Sequence, residues 1–310
     1  KALADVAGLQ EPPGTYHAGF VLGPRINAGG RIGAPDLGAR LLGTDDAVEA
    51  LELAKRLDGL NRERQELEAR VLEDALRRIE GAGDPGPAIV VAAGGWHPGV
   101  VGIVASRLAE RFNRPACVIA LDGSVGVGSG RSVTGVDLGR HVIAARQKGL
   151  LLKGGGHKMA AGFTVELANL RPFGDFLAER VATQVRDAGI LPSLYLDAAI
   201  KAGAATMDVA SALEQVGPFG AGNPEPRFVV PTARLSYAAV AGERHVRGRL
   251  TDEQGGSLAA ISFNSLDTPL GRALLKSDAA PLHVVGRLRI NTWQGRSSPQ
   301  LLIDDAAPTW

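Results

Sequence analysis

The chain has 310 residues, 45% hydrophobic and 22% charged, which points to an ordinary soluble protein with room for two or three cored domains. No apolar run approaches the roughly 18 residues of a membrane span, and a formal net charge of +1 excludes nucleic-acid binding through bulk charge, leaving only local arginine clusters. The one cysteine, Cys117, lies in the apolar run Ala116-Cys117-Val118-Ile119, so it can close no internal disulfide and reads as a buried thiol in a reducing, cytoplasmic compartment.

Lys1-Ala2-Leu3-Ala4-Asp5-Val6 lacks signal-peptide character and reads as the interior of a longer chain. In residues 1–44 the apolar run Phe20-Val21-Leu22 stops at Gly23-Pro24, a breaker pair. Arg25 and Arg31 then flank Asn27 and two glycines, which reads as a loop whose guanidiniums suit phosphates or pair with carboxylates. The segment is too short for a core of its own and reads as the tail of a domain or a lid on another.

Residues 45–81 read as one long helix. Thr44 is placed to cap it, with Asp45 and Asp46 at its positive end. Leu53, Leu57, Leu60, Leu67, Val71, Ala75 and Ile79 follow helical spacing, and Gly59 marks a kink or split. At about 1.5 Å per residue it spans roughly 50 Å and reads as a strut between two bodies.

Ala88–Ala93, Val100–Phe112 and Pro115–Leu121 give strand, helix and strand, hence a parallel pair and an α/β domain. Gly126–Ser132 follows the second strand, the wrong context for a dinucleotide fingerprint. It offers Ser129 and Ser132 around Arg131 on a backbone without bulk, a phosphate contact or a plain hairpin. Gly154-Gly155-Gly156-His157 reads equally as a backbone cradle for phosphate and as a hairpin turn with a surface histidine. His97 sits in a second glycine loop. No residues here have metal-ligand spacing.

Beyond a lead-in from about residue 190, a helix over Val209–Val216 and a turn-dense stretch Gly217–Phe228 precede six strand-like runs: Phe228–Val230, Ala233–Ala239, His245–Thr251, Ser257–Asn264, Leu282–Ile290 and Gln300–Ile303. Short strands with glycine turns predict a small β-barrel. His245, Arg247 and Arg249 alternate with apolar or small residues, as do Arg287 and Arg289. Each set lies on one strand face, either a solvated face or, with Tyr237 and Trp293, a single-strand nucleic-acid groove.

Five motifs stand in order: Leu22-Gly23-Pro24-Arg25-Ile26-Asn27-Ala28-x-Gly30-Arg31; Gly95-Trp96-His97-Pro98-Gly99; Gly128-Ser129-Gly130-Arg131-Ser132; Gly154-Gly155-Gly156-His157-x-Met159-Ala160-Ala161-Gly162; and Gly217-Pro218-Phe219-Gly220-x-Gly222-Asn223-Pro224-Glu225-Pro226. Together they resemble the C-terminal part of the RecJ exonucleases, single-strand-specific DNA exonucleases of the DHH phosphoesterase superfamily. The resemblance implies the tail of a DHH catalytic domain over 1–44, a connecting helix over 45–81, a DHH-associated α/β domain with a mixed sheet over 82–188 and an OB-fold over 189–310. It implies 5′-to-3′ degradation of single-stranded DNA in repair and recombination, using Mn2+ or Mg2+ held by Asp and His residues of an N-terminal DHH domain. Those motifs are absent from this sequence, and neither His141 nor Asp304-Asp305 matches their contexts. No metal site is therefore expected in this chain, which alone is expected to bind and not to cut.

By the same resemblance Ser129 and Arg131 hold a 5′-phosphate, Arg31 reaches the adjoining nucleotide, and Gly154, Gly155, Gly156 and His157 lie beside that pocket or line the cleft, with Arg25, His97 and Ser132 as further substrate-binding candidates. His245, Arg247, Arg249, Arg287 and Arg289 grip the strand. A helicase and a single-strand-binding protein are the implied partners. A separate non-catalytic DNA-binding module and a small-oligonucleotide phosphodiesterase of the same superfamily are the alternatives.

Overall fold

Where Gly23-Pro24 reads as a breaker, the computed structural model is helical. Proline lacks the N–H that a first helical turn leaves unused, and its φ suits a helix start. The structure describes every residue except Glu11, 189–192, Ala221, 277–279 and Trp310. Helix α1 (Ala2–Val6) is followed by a π-helical turn (His17–Leu22), α2 (Gly23–Ile32) with Pro24 in its first turn, and α3 (Leu37–Gly43). Arg25 and Arg31 thus stand on a helix, not on the expected loop.

Helix α4 runs unbroken over Ala47–Ala82, 36 residues or about 54 Å. Gly59 neither kinks nor splits it. Its cap is Asp46, whose carboxylate accepts the Val48 and Glu49 N–H groups at 2.8 and 3.3 Å. Thr44, expected there, instead donates to Glu49 at 2.6 Å. The two halves of α4 serve separate cores. Leu53 and Leu57 pack with Leu37, while Val71, Ala75 and Ile79 enter the core under the first sheet.

That sheet has the order β1 (Ile89–Gly94), β2 (Ala116–Asp122), β3 (Val125–Arg131), β5 (Ala160–Glu166), β4 (Lys153–His157). Helix α5 (Pro98–Phe112) links the parallel pair β1–β2, and the remaining pairs are antiparallel. Helices α6 (Leu138–Gln147) and α7 (Leu170–Ala188) complete the unit. The chain divides into two compact units, Lys1–Pro192 and Ser193–Trp310, so the boundary expected at 188/189 adjoins residues outside the described set.

Of Gly126–Ser132, which lacks the context of a dinucleotide loop, all but Ser132 lies in strand β3. Its glycines alternate on one face because neighbours fill that face. A Cβ on Gly128 would collide with the Phe163 ring, and one on Gly130 would meet Leu138 at 2.8 Å and Cys117 at 3.0 Å. Leu138, Val142, Phe163, Phe173 and Leu177 form this core with Cys117. Burial pushes the Cys117 thiol up to about 12.

The second unit holds β6 (Ala198–Ala199), α8 (Met207–Gln215), β7 (Phe228–Ala241), β8 (His245–Thr251), β9 (Ser257–Ser262), α9 (Pro269–Leu275), β10 (Leu282–Trp293) and β11 (Arg296–Pro308). The two runs expected at 228–239 are one strand, continuous through a register shift between Leu235 and Tyr237. Strands β7, β8, β9, β11 and β10 pair in that order, and β10 pairs back to β7. The barrel closes with one parallel contact, β9–β11, around Val230, Leu250, Leu258, Val284 and Leu301. Helix α9 was missed because it is two turns long and proline-led. No described helix is long and apolar enough to cross a membrane.

Gly128→Ala should destabilise the protein by about 1–3 kcal/mol, since Phe163 must move. Gly162→Ala, whose Cβ would meet open space, should leave the urea midpoint within error. Cys117 should ignore thiol reagents at neutral pH and react only after denaturation.

Candidate nucleic-acid interface

The face of β3, β5 and β4 opposite that core carries almost no side-chain bulk along its middle row. Strand register aligns three rows across it: Val127–Thr164–Lys153, Ser129–Gly162–Gly155 and Arg131–Ala160–His157. A Cβ on Gly155 or Gly162 would touch nothing. The result is a bare platform with Arg131 on one side and His157 on the other, two strand spacings or roughly 10 Å apart at Cα.

Helix α5 bounds the platform on the Arg131 side. A Cβ on Gly102 would lie 3.0 Å from Ser129 Oγ and 3.1 Å from Arg131 Nη2, so glycine lets the helix sit close without displacing either side chain. Gly99 does the same for α2, since its Cβ would collide with the Arg31 carbonyl. His97 caps α5, its Nδ1 accepting the Gly99 N–H at 3.0 Å, so a neutral ring carries its proton on Nε2. Its expected place near the site is therefore as a structural cap at the end of α5 that faces Arg31.

Arg131 Nη1 donates to Ser129 Oγ at 3.0 Å and to the Gly130 carbonyl at 2.9 Å. Burial, and then the charge of Arg31, both disfavour its protonated form and lower its pKa. Arg31 donates to the Gly99 carbonyl at 3.4 Å. Among the described residues neither guanidinium has a carboxylate partner. Two like charges, one half-buried, thus face each other beside a serine hydroxyl and a helix N-terminus.

Three expected site groups are committed elsewhere. Arg25 binds Asp58 at 2.9 Å and the Val21 carbonyl at 2.7 Å, tying α2 to α4. Ser132 is buried, and its hydroxyl donates to the Val136 carbonyl at 2.8 Å rather than joining Ser129. Gly154, Gly155 and Gly156 form an edge strand, not a turn, and the two-residue turn falls at Lys158-Met159. Gly156 has no room for a side chain, since its Cβ would collide with Ala160 and Ala161, and a Cβ on Gly139 would lie 2.7–2.8 Å from the Gly156 carbonyl group, so α6 and β4 touch backbone to backbone. Gly155 alone of the three opens onto the platform, and Arg146 closes part of the strand edge by donating to the Gly154 carbonyl at 3.0 Å.

In the second unit the outer faces of β7, β8 and β9 share one surface. Tyr237 lies opposite Arg249, Ala239 opposite Arg247, and Arg247 and Arg249 oppose Ile261 and Ala259. The His245 ring meets Phe263 edge-on with centroids 5.0 Å apart. Two half-exposed aromatics thus bracket two arginines. Phe263 went unnoticed because only the register reveals it as His245's neighbour.

Arg287 and Arg289 do not extend this strip. Glu225 receives Arg289 through two bonds of 2.6 Å and Arg287 at 3.4 Å, while Asp304 takes Arg287 at 2.8 Å and Arg227 at 3.1 Å. Burial would raise the Glu225 pKa, but the hydrogen bonds and charges of Arg289 and Arg287 outweigh it and hold it below the ordinary value. Strand β10 does not border β8, and the exposed Trp293 ends β10 at its hairpin with β11.

Among the described residues no three His, Cys, Asp or Glu side chains group as metal ligands, so the donor set present does not fit a divalent ion. His141 bonds Gln184 at 2.7 Å and serves the α6–α7 contact.

A family model for the DHHA1 domain matches residues 86–183, and one for the RecJ OB domain matches 196–305. The chain is 36% identical to the single-stranded-DNA-specific exonuclease RecJ of Bacillus subtilis, over 93% of this chain and 36% of that protein. Identity to the Escherichia coli RecJ is 35%, over 99% and 54% respectively. The crystal structure of Thermus thermophilus RecJ in complex with Mn2+ superposes with a TM-score of 0.81 at 31% identity, over 99% of this chain and 43% of that one. The chain thus spans about a third to a half of the length of the relatives it matches.

Acidification should loosen the second unit through Glu225. Its depressed pKa means that its stabilisation is present above the ordinary glutamate range and is lost as pH falls through the native value. Glu225→Gln should lower the thermal midpoint near neutral pH and flatten its decline in acid.

Proposed function

We propose that this chain, which matches the models of the DHHA1 domain and of the RecJ OB domain, is the substrate-binding part of a RecJ-type single-strand-specific DNA exonuclease acting from the 5′ end. The observation that carries this reading is the pair Arg31 and Arg131, without carboxylate partners among the described residues, beside Ser129 on a platform cleared of side chains. A terminal phosphate placed there relieves the repulsion between the guanidiniums and gains charge-assisted hydrogen bonds from them and from Ser129. The sugar-phosphate chain that follows can lie on Gly155 and Gly162 at backbone distance, with His157 across the platform.

The second unit grips single-stranded DNA by a different principle. In an OB-fold the outer face of the second and third barrel strands, with the loops joining strands one to two and four to five, binds oligonucleotides. Here that face is β8–β9. Arg247 and Arg249 meet phosphates, and Tyr237 and Phe263 offer stacking surfaces for bases. Trp293 ends the fourth strand, beside its loop to the fifth. Arg287 and Arg289 enter the proposal as holders of the Glu225 segment, not as DNA contacts.

Two of the related RecJ structures are complexes with Mn2+ or Mg2+, and the described residues of this chain group no donor set for either ion. The division of labour proposed is that this chain binds and orients the strand, and that a metal-bearing catalytic domain cuts it.

Incubating this chain with 5′-phosphorylated single strands and Mn2+ should give binding without cleavage; robust cleavage would overturn the division of labour. Arg131→Ala should weaken 5′-phosphorylated strands more than 5′-hydroxyl strands, and equal losses would remove Arg131 from end recognition. Replacing Arg247 and Arg249 by alanine should flatten the plot of log K against log salt by about 1.4, from about 0.7 per phosphate contact on a single strand. An unchanged slope would place those arginines away from the DNA.

A further inference from the structure

A second group of cations lies in the first unit on the side of the sheet that α6 and α7 cover. An open pocket there is walled by Asp137, Arg140 and Gln147 of the α6 stretch, by Arg180 of α7, and by His157 and Lys158 at the end of β4. Three cations thus face one carboxylate. That carboxylate is already engaged, since Asp137 Oδ1 accepts the Arg140 N–H at 3.0 Å as the cap of α6. Among the described residues none of the heads of Arg140, Lys158 and Arg180 forms an ion pair. The Arg180 head lies 5.3 Å from the Phe176 ring centroid, and Lys148 lies 5.1 Å from the same centroid. With Arg146 on the Gly154 carbonyl, α6 continues the positive charge away from the pocket along the β4 edge.

Cations gathered in one concavity repel, and an anion entering it removes that cost. Arg140 and Arg180 supply planar donor forks, and Lys158 a mobile point charge, a set matched to phosphate oxygens. The pocket also adjoins the platform, because His157 closes the last platform row and lines the pocket wall. A strand that crosses Gly155 and passes over the β4 edge meets these cations next.

We propose that this pocket is a second phosphate-binding site, which holds the backbone of a nucleic-acid strand that runs off the platform over the β4 edge. The inference rests on the platform reading above, and it assigns Arg140, Lys158 and Arg180 to the nucleotides beyond those nearest Arg131.

The test compares two 5′-phosphorylated single strands, a trinucleotide and one of about 12 nucleotides, bound to the 310-residue chain. Arg140→Ala with Arg180→Ala should leave trinucleotide affinity unchanged. It should weaken the longer strand roughly fivefold to tenfold and flatten its salt slope by about 1.4. Lys158→Ala, a single change in the exposed hairpin turn, should give a smaller loss with the same dependence on length. Both arginines are exposed, and matching thermal unfolding curves will show that the variants fold. An unweakened long strand, or equal losses at both lengths, would overturn the proposal. Arg131→Ala, measured beside them, should weaken both lengths. If it weakens neither, the platform reading falls by itself, while the pocket still stands or falls on the length dependence.

Discussion

The first unit depends on backbone touching what side chains would otherwise hold away. Gly128 admits the Phe163 ring, Gly130 admits Leu138, and Gly139 lets α6 rest on the Gly156 peptide. Each contact removes a Cβ from one side of the sheet so that aromatic and branched residues can fill the space, as close packing of an interior demands. The opposite face inherits the same small-residue strands without a helix to cover β5 and β4. Packing on one side and exposure on the other are therefore two results of one alternation, and Ser129 and Arg131 stand at the outward positions of that alternation on β3.

Electrostatics divides the arginines into two groups. Arg25 and Arg287 are partly shielded and meet carboxylates at short range, so their charge is balanced inside the fold. Arg31 and Arg131 meet each other instead. A near-zero net charge hides this difference, because charges that are paired and charges that are not contribute equally to the sum. What a chain can offer to a polyanion is the set of cations that its own acids leave available.

The order of elements was largely legible from hydrophobic spacing and turn residues: the long helix, the strand-helix-strand unit and the barrel strands stand close to where periodicity puts them. The failures have physical causes. Gly23-Pro24 looked like a breaker, but proline is at home in a first helical turn. The glycine runs looked like loops, but they are strands thinned for packing. Arg131 and Ser129 stand out in the sequence by residue type and by the family motif that contains them. The commitments of Arg25, Ser132, Arg287 and Arg289 were invisible, because their partners Asp58, Val136, Glu225 and Asp304 are distant in sequence or ordinary in type. The pairing of Phe263 with His245 needed the register of β8 and β9, which no local pattern encodes.

The thinness of the platform has a chemical corollary. Reading a base requires side-chain donors and acceptors set against its edge. The middle row offers one hydroxyl, Ser129, and then two glycines, so it has few groups with which to tell one base from another. A strand lying there would be held through its backbone, alike whatever its letters.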